Sequence, residues 1–331
     1  LMSTPPRSQE NAVWPRFDEF LLDPVNDYFT TDVAPDGYRW WYVDLISDDQ
    51  RYSVVVIGFI GSVFSPYYAR ARKRGPADPY AHCAINAIIY GPDRKRWAMT
   101  ERTARDLHLS PQGVAVGSSA MQWQNDRLVI DIDEWTNPLP SRLRGQIEID
   151  TGHRSGRVWP IHDNGAHHWW PMAPHAKATA RFEHPNLTIS GSAYVDSNFG
   201  TRPLERDFRY WDWTRNAHRG DSYDLTYHTR QTDNAEYFLS LKQADSGELR
   251  PVASPRVQPL QKSGWRVSRE ICSEHTIGQV KTLEDTPFYA RAKVTTNGTT
   301  PKMLMHESLS LERFGQPWVQ TLLPFRMPRR S

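Results

Sequence analysis

Strand-length runs of β-branched and aromatic residues, each closed by a turn signal, recur along nearly the whole chain and leave little room for helix. RYSVVVIGFIGSVF carries the longest apolar stretch, Val54 to Ile60, which is strand length and ends in small residues. AHCAINAIIYGPDRKRWAMT reads as strand, Gly-Pro-Asp turn, strand. MQWQNDRLVIDIDEW is a hairpin across Asn125-Asp126, with Leu128, Ile130 and Ile132 alternating against Val129, Asp131 and Asp133. Further turns fall at His184-Pro185-Asn186, Thr232-Asp233-Asn234 and Asn297-Gly298. Only YYARARKRG (67–75) and TERTARDLH (100–108) have helical character, and both are short and charged. The pattern predicts an all-β protein of sandwiches or barrels with few short helices.

At 331 residues the chain exceeds most single domains, so it holds two domains or one large β domain. An internal echo favours two. YRWWYVDLISDDQRYSVVVI (38–57) and FRYWDWTRNAHRGDSYDLTY (208–227) both run basic-aromatic strand, polar turn, strand, 170 positions apart. Chance similarity between Trp-rich strands is the plain alternative. We expect a disordered segment at 1–15, a β domain over 16–190, a second over 191–331, and a pocket between or near them. The tail MPRRS is expected to be disordered too.

Composition narrows the function. Forty basic residues against thirty-eight acidic ones give a net charge of +2, too little for a nucleic-acid footprint. Thirteen Trp, fourteen Tyr and twelve Phe are more than packing alone requires and point to an apolar ligand. Two cysteines, Cys83 and Cys272, provide neither a disulfide framework nor a cysteine-rich zinc site. A reducing compartment fits, with one disulfide left open. LMSTPPRSQENAVWPRF has no apolar signal core, and no run reaches the roughly twenty apolar residues of a membrane span. The expectation is a cytoplasmic protein, soluble or peripheral on the inner membrane, with LLPFRMPRR its one basic-apolar end.

The familiar site motifs are missing: no phosphate-binding loop, no dinucleotide fingerprint, no nucleophile elbow, no HExxH. In IHDNGAHHWWPMAPH (161–175), His162, His167, His168 and His175 are interrupted by a glycine and prolines, so no metal is expected there. As an extended strand, that segment puts His167 and Trp169 on one face and His168 and Trp170 on the other. A hydrogen-bonded loop histidine beside a core tryptophan is the ordinary alternative.

AYVDSNFGTRPLERDFRYWDWTR (193–215) is more unusual. Tyr194, Asp196 and Asn198 share one strand face, which places an acid among rings if that face is buried. A turn aspartate paired with Arg202 or Arg206 is the competing assignment. Trp211 and Trp213 alternate with Tyr210 and Asp212. Such a stripe usually packs a core; less usually it rims a polyene or a cation.

These stretches resemble the bacterial carotenoid 1,2-hydratases, also called hydroxyneurosporene synthases. The matching segments are GYRWWYVDLISDDQRYSVVVIGFIGSVFSPYYARAR, HCAINAIIYGPDRKRWAMTER, HHWWP, YVDSNFGTRPLERDFRYWDWTR and HESLSLERFGQPWVQTLLPFRMPR, covering most of the chain from about 37 to 330. The resemblance implies two tandem lipocalin-like β units. It also implies cofactor-independent addition of water across the terminal double bond of an acyclic carotenoid or shorter isoprenoid, giving a tertiary alcohol. By the same resemblance His167, Trp169, Tyr194 and Asp196 carry catalysis, with Asp196 as the acid. Asn198 and Phe199 would touch substrate, and Trp41, Trp211 and Trp213 are further candidates for that contact. Two other functions suit the same features: a pericyclase-type cyclisation enzyme, and a non-catalytic carotenoid or lipid carrier.

The chemistry is consistent with the residues. Hydrating a trisubstituted alkene means placing a proton on carbon to form a tertiary cation. A carboxylic acid can donate that proton only if it is neutral, and burial among apolar groups disfavours its anion. Tryptophan faces stabilise a developing cation. His167 would position the attacking water or take its proton.

Overall fold

The computed structural model describes residues 20–30 and 32–330. The expected disorder at 1–15 lies outside the described residues. Two compact units form, one of Phe17–Pro203 with Gln320–Ser331, the other built on Leu204–Val319. The expected boundary at 190/191 falls inside a strand of the first unit, and the division comes after Pro203 instead.

The first unit is built from strands β1 (Phe20–Leu21), β2 (Tyr38–Ser47), β3 (Ser53–Ile60), β4 (Cys83–Tyr90), β5 (Lys95–Met99), β6 (Leu107–Ser110), β7 (Gly113–Val116), β8 (Ser119–Gln124), β9 (Arg127–Trp135), β10 (Arg142–Asp150), β11 (Arg157–Pro160), β12 (His167–His184) and β13 (Leu187–Gly200). They form one antiparallel sheet in the order β5-β4-β3-β2-β13-β12-β10-β9-β8-β7-β6, with β11 bridging β1 and β12. β13 therefore sits mid-sheet between β2 and β12, which come from distant parts of the sequence.

Several turns form where the sequence places them. Gln124 faces Arg127 across Asn125-Asp126, whose φ values of 46° and 68° suit a mirror-image hairpin turn. The stretch 67–75 yields a helix over Pro66–Arg72, started by proline and capped by Ser65, whose Oγ accepts from the Tyr67 and Tyr68 amides. The other helical candidate fails. Residues 100–108 give a three-residue 3-10 turn, Ala104–Asp106, and then β6, whose pairing with β7 outweighs the local charge pattern.

One face of the sheet makes the apolar core, from Trp41, Val43 and Leu45 of β2, Val54, Val56 and Ile60 of β3, Ile85, Ala87 and Ile89 of β4, and on to Ile130, Ile147, Trp170 and Val195. Each fully buried side chain of this size contributes roughly 1.5–3 kcal/mol. In β2 and β4 the alternate positions are buried as well, and in β3 all of them but the half-buried Ile57. That second buried face holds the site.

The expected disorder of MPRRS is not found in its described residues. Arg329 reaches Glu101, which is wholly buried, and bridges to it along the backbone; His82 Nδ1 also lies 2.7 Å from Glu101 Oε1. The Trp97 indole donates to the Arg326 carbonyl at 3.0 Å. A buried carboxylate needs a partner, and the tail brings one.

The second unit contributes β14 (Phe208–Asn216), β15 (Leu225–Gln231), β16 (Glu236–Gln243), β17 (Leu249–Val252), β18 (Val257–Leu260), β19 (Arg269–Cys272), β20 (Ile277–Asp285), β21 (Tyr289–Thr296) and β22 (Met303–Ser310). Seven of them form an antiparallel sheet, β17-β16-β15-β14-β22-β21-β20, while β18 and β19 pair separately. The two echo segments, 38–57 and 208–227, are in each case an antiparallel strand pair within its own unit, β2 with β3 and β14 with β15.

Candidate active site

The site follows from register. In β12, Pro171 and Pro174 cannot donate to the ladder, and the pairing with β13 shifts on both sides of Ala173. Ahead of those shifts the register is regular: His167 faces Gly200, Trp169 faces Asn198 and Trp170 faces Ser197. On the other side of β13, Tyr194 faces Asp44, Asp196 faces Tyr42, Asn198 faces Trp40 and Gly200 faces Tyr38. Since alternate residues share a face, His167, Trp169, Tyr194, Asp196 and Asn198 are gathered with Tyr38, Trp40, Tyr42 and Asp44. This is the face opposite the apolar core.

Asp196 is buried, with 5% of its surface exposed, so it is not a surface turn residue. Its Oδ2 accepts the Tyr194 hydroxyl at 2.7 Å and the Trp169 indole N–H at 3.0 Å. The same indole N–H lies 3.2 Å from Tyr194 Oη, so it is shared between the two oxygens. Both donors are neutral. They converge on Oδ2 of the carboxyl. Tyr28 fixes the backbone beneath, its hydroxyl donating to the Asp196 carbonyl at 3.0 Å. Burial holds the Tyr28 phenol well above its ordinary range.

His167 is fully buried, with Nδ1 2.9 Å from the Tyr38 hydroxyl and the two rings stacked at 5.8 Å. Gly200 makes room for that pair. A Cβ at this position would stand 2.6 Å from the Tyr38 ring and 2.8 Å from His167 Nδ1. His168 points the other way, stacks on Phe199 at 5.2 Å, and is pushed by burial down to about 4.

Two substrate-contact candidates do not join the group. Trp41 lies in the apolar core with its indole N–H on the Tyr28 carbonyl at 2.7 Å. Phe199 packs against that same core, under the Arg39 guanidinium at 4.9 Å. Both sit at odd positions of strands whose even positions carry the site, so the strand period sends them to the other face. Asn198 stays with the site and is 2% exposed. Trp211 and Trp213 belong to the second unit, both buried, with Trp211 edge-on to Phe208 at 5.6 Å and to Tyr227 at 5.8 Å.

Four members were absent from the candidates read in the sequence: Tyr38, Trp40, Tyr42 and Asp44. Asp44 is wholly buried, and Tyr42 donates to its Oδ2 at 3.2 Å. Their signal was the spacing 38-40-42-44, which was open to inspection, but only the β2–β13 pairing shows what it faces. Among the described residues, groups close enough to share a metal ion are Asp212, His228 and Glu270, and Asp221, Glu274 and His275, all in the second unit. Cys83 and Cys272 are free and buried.

The model of the carotenoid hydratase CrtC family matches residues 56–331. The chain belongs to that family. The acyclic carotenoid 1,2-hydratase of Thiocapsa roseopersicina is 42% identical over 306 residues, covering 91% of this chain and 75% of its own. The enzyme of the same description from Rubrivivax gelatinosus is 38% identical over 309 residues, covering 92% and 76%. Membership makes this chain a hydratase, a hydro-lyase by class.

Solved structures agree on the fold. An AttH candidate from Nitrosomonas europaea superposes with a TM-score of 0.56 at 12% identity, covering 90% of this chain and 99% of that one. Kievitone hydratase from Nectria haematococca gives 0.53 at 10%, covering 88% and 93%. The expected all-β, lipocalin-like architecture holds.

Proposed function

We propose that this enzyme adds water across the terminal carbon–carbon double bond of an acyclic carotenoid or shorter isoprenoid, with Asp196 as the acid. One observation carries the mechanism: the carboxyl of Asp196 is buried and held through Oδ2 by two neutral donors, Tyr194 and Trp169. Burial disfavours the anion before the reaction, so the proton stays on the acid. Transfer of that proton to the alkene leaves the tertiary cation and an aspartate carboxylate. At that moment both hydrogen bonds to Oδ2 become charge-assisted and strengthen.

Trp40 and the Trp169 ring lie on the same face and present π density to the cation. His167, fixed by Tyr38, positions the attacking water. Capture of the cation by water and loss of one proton complete the tertiary alcohol. Water other than the reacting molecule must be kept out, and the burial of every strand position along β2 supports that.

A substrate of this kind resides in bilayers, so peripheral association with a membrane is part of the proposal. Among the described residues no helix is long and apolar enough to cross a membrane.

The test uses Asp196→Asn with acyclic carotenoids and a short isoprenoid in oxygen-labelled water. The wild-type protein should yield a tertiary alcohol carrying solvent oxygen, and the folded variant should not. Undiminished hydration by the variant dismisses the acid role. A rearranged product without solvent oxygen would favour cyclisation, and unchanged substrate with the wild-type protein would favour a carrier.

A further inference from the structure

Asp44 has no place in the scheme so far. It is a wholly buried carboxylate on β2, on the face that carries Asp196. Each acid has a tyrosine two residues away on its own strand, donating to Oδ2: Tyr42 to Asp44 at 3.2 Å and Tyr194 to Asp196 at 2.7 Å. The two motifs run antiparallel, so Asp44 faces Tyr194 and Asp196 faces Tyr42. The two tyrosine rings meet edge to face, with centroids 6.0 Å apart. The acids are therefore diagonal neighbours, and the backbones of such a pair stand about 7–8 Å apart.

Two buried carboxyls on one face have a chemical meaning. Glycosidases that invert their substrates divide the work between two carboxyls in the same way, an acid and a base set far enough apart to leave room for a water between the base and the electrophilic carbon. Carboxylates that share a buried site also do not ionise together readily, so one stays protonated while the other is charged. Proton donation and water activation need that division.

We infer that Asp44 is the general base that activates the attacking water, paired with Asp196 across the Tyr42–Tyr194 contact. This rests on the reading of Asp196 as the acid. The steps balance. The Asp196 proton goes to the alkene carbon, and the water oxygen bonds to the tertiary cation. Asp44 takes one proton from that water, and passing it on to the Asp196 carboxylate resets the pair. No other reactant enters.

Asp44 and Asp196 are distinguished by giving the cation a nucleophile that needs no base. Azide carries no proton to lose, so it can trap a tertiary cation without Asp44. Wild-type protein incubated with substrate and sodium azide should give alcohol with some tertiary azide, which establishes that azide enters. Asp44→Asn should lose about 10²- to 10⁴-fold in hydration, the usual contribution of a general base. It should still form the azide product at a rate near that of the wild-type protein. Asp196→Asn should form neither product, because no cation arises.

Hydration by Asp44→Asn within a fewfold of wild type overturns the inference. So does the loss of both products in a variant whose circular dichroism and melting match wild type. If Asp196→Asn still makes the azide product while Asp44→Asn does not, the roles are exchanged and the acid assignment falls as well. Should Asp44→Asn fail to fold, Asp44→Glu keeps the carboxylate and moves it by one methylene. It should hydrate more slowly while the azide product is maintained, and an equal loss of both products overturns the inference.

Discussion

Replacing Tyr194 by Phe removes one hydroxyl from a buried network and leaves the ring in place. Its 2.7 Å bond to Asp196 Oδ2 is made in the ground state and again in the transition state, but its strength differs. To a neutral acid such a bond is worth about 0.5–1.5 kcal/mol, and to a carboxylate about 1.5–3 kcal/mol. The difference, about 1–1.5 kcal/mol, is the part felt only as the proton leaves, and it corresponds to roughly a tenfold fall in kcat with KM little changed. Trp169→Phe should act similarly through the 3.0 Å bond.

The shared indole N–H sets the outcome of the double variant. In Tyr194→Phe it turns wholly to Asp196, compensating in part, since it lies within 3.2 Å of both oxygens. The double variant should therefore lose about a hundredfold, more than the product of the two single losses. Steady-state kinetics on an acyclic carotenoid in detergent micelles, with product measured by mass, reads both parameters. A Tyr194→Phe enzyme with raised KM and unchanged kcat would refute the reasoning, because the bond would then hold substrate and transition state equally.

Two stability predictions follow from the frame around the site. Glu134 is buried, and burial pushes its carboxyl up to about 7 despite the 2.7 Å bond from the Ser119 hydroxyl. The folded state thus holds a proton that the unfolded state releases near its ordinary value of 4.5. Stability should fall as pH rises from about 4.5 to about 7 and level off above, by about 3 kcal/mol. Denaturant unfolding at pH 5 and pH 8 should show that fall in the wild-type protein and not in Glu134→Gln; equal slopes in both would count against it. Arg329→Ala would leave Glu101 buried without its guanidinium, at a cost of about 3 kcal/mol in the same assay. A loss under about 0.5 kcal/mol would mean that the tail merely lies on the surface.

Local rules were enough for much of the fold. The Asn125-Asp126 turn, the hairpins around it and the helix that begins at Pro66 form where the sequence places them, because each depends on residues adjacent in the chain. The same short-range view misread residues 100–108, where strand pairing overrode a helical pattern, and MPRRS, where a buried glutamate recruits a distant arginine.

The strand period by itself determined that Tyr194, Asp196 and Asn198 share a side, and that His167 goes with Trp169. It could not say which β2 residues those side chains meet, because β2 and β13 are separated by more than a hundred positions. A one-residue change of register would have brought Trp41, not Tyr42 and Asp44, to Asp196. Periodicity is a property of one strand, whereas a site of several strands is a property of their pairing. The sequence therefore determined the chemistry available on each strand, and the tertiary structure alone decided which acid stands beside which.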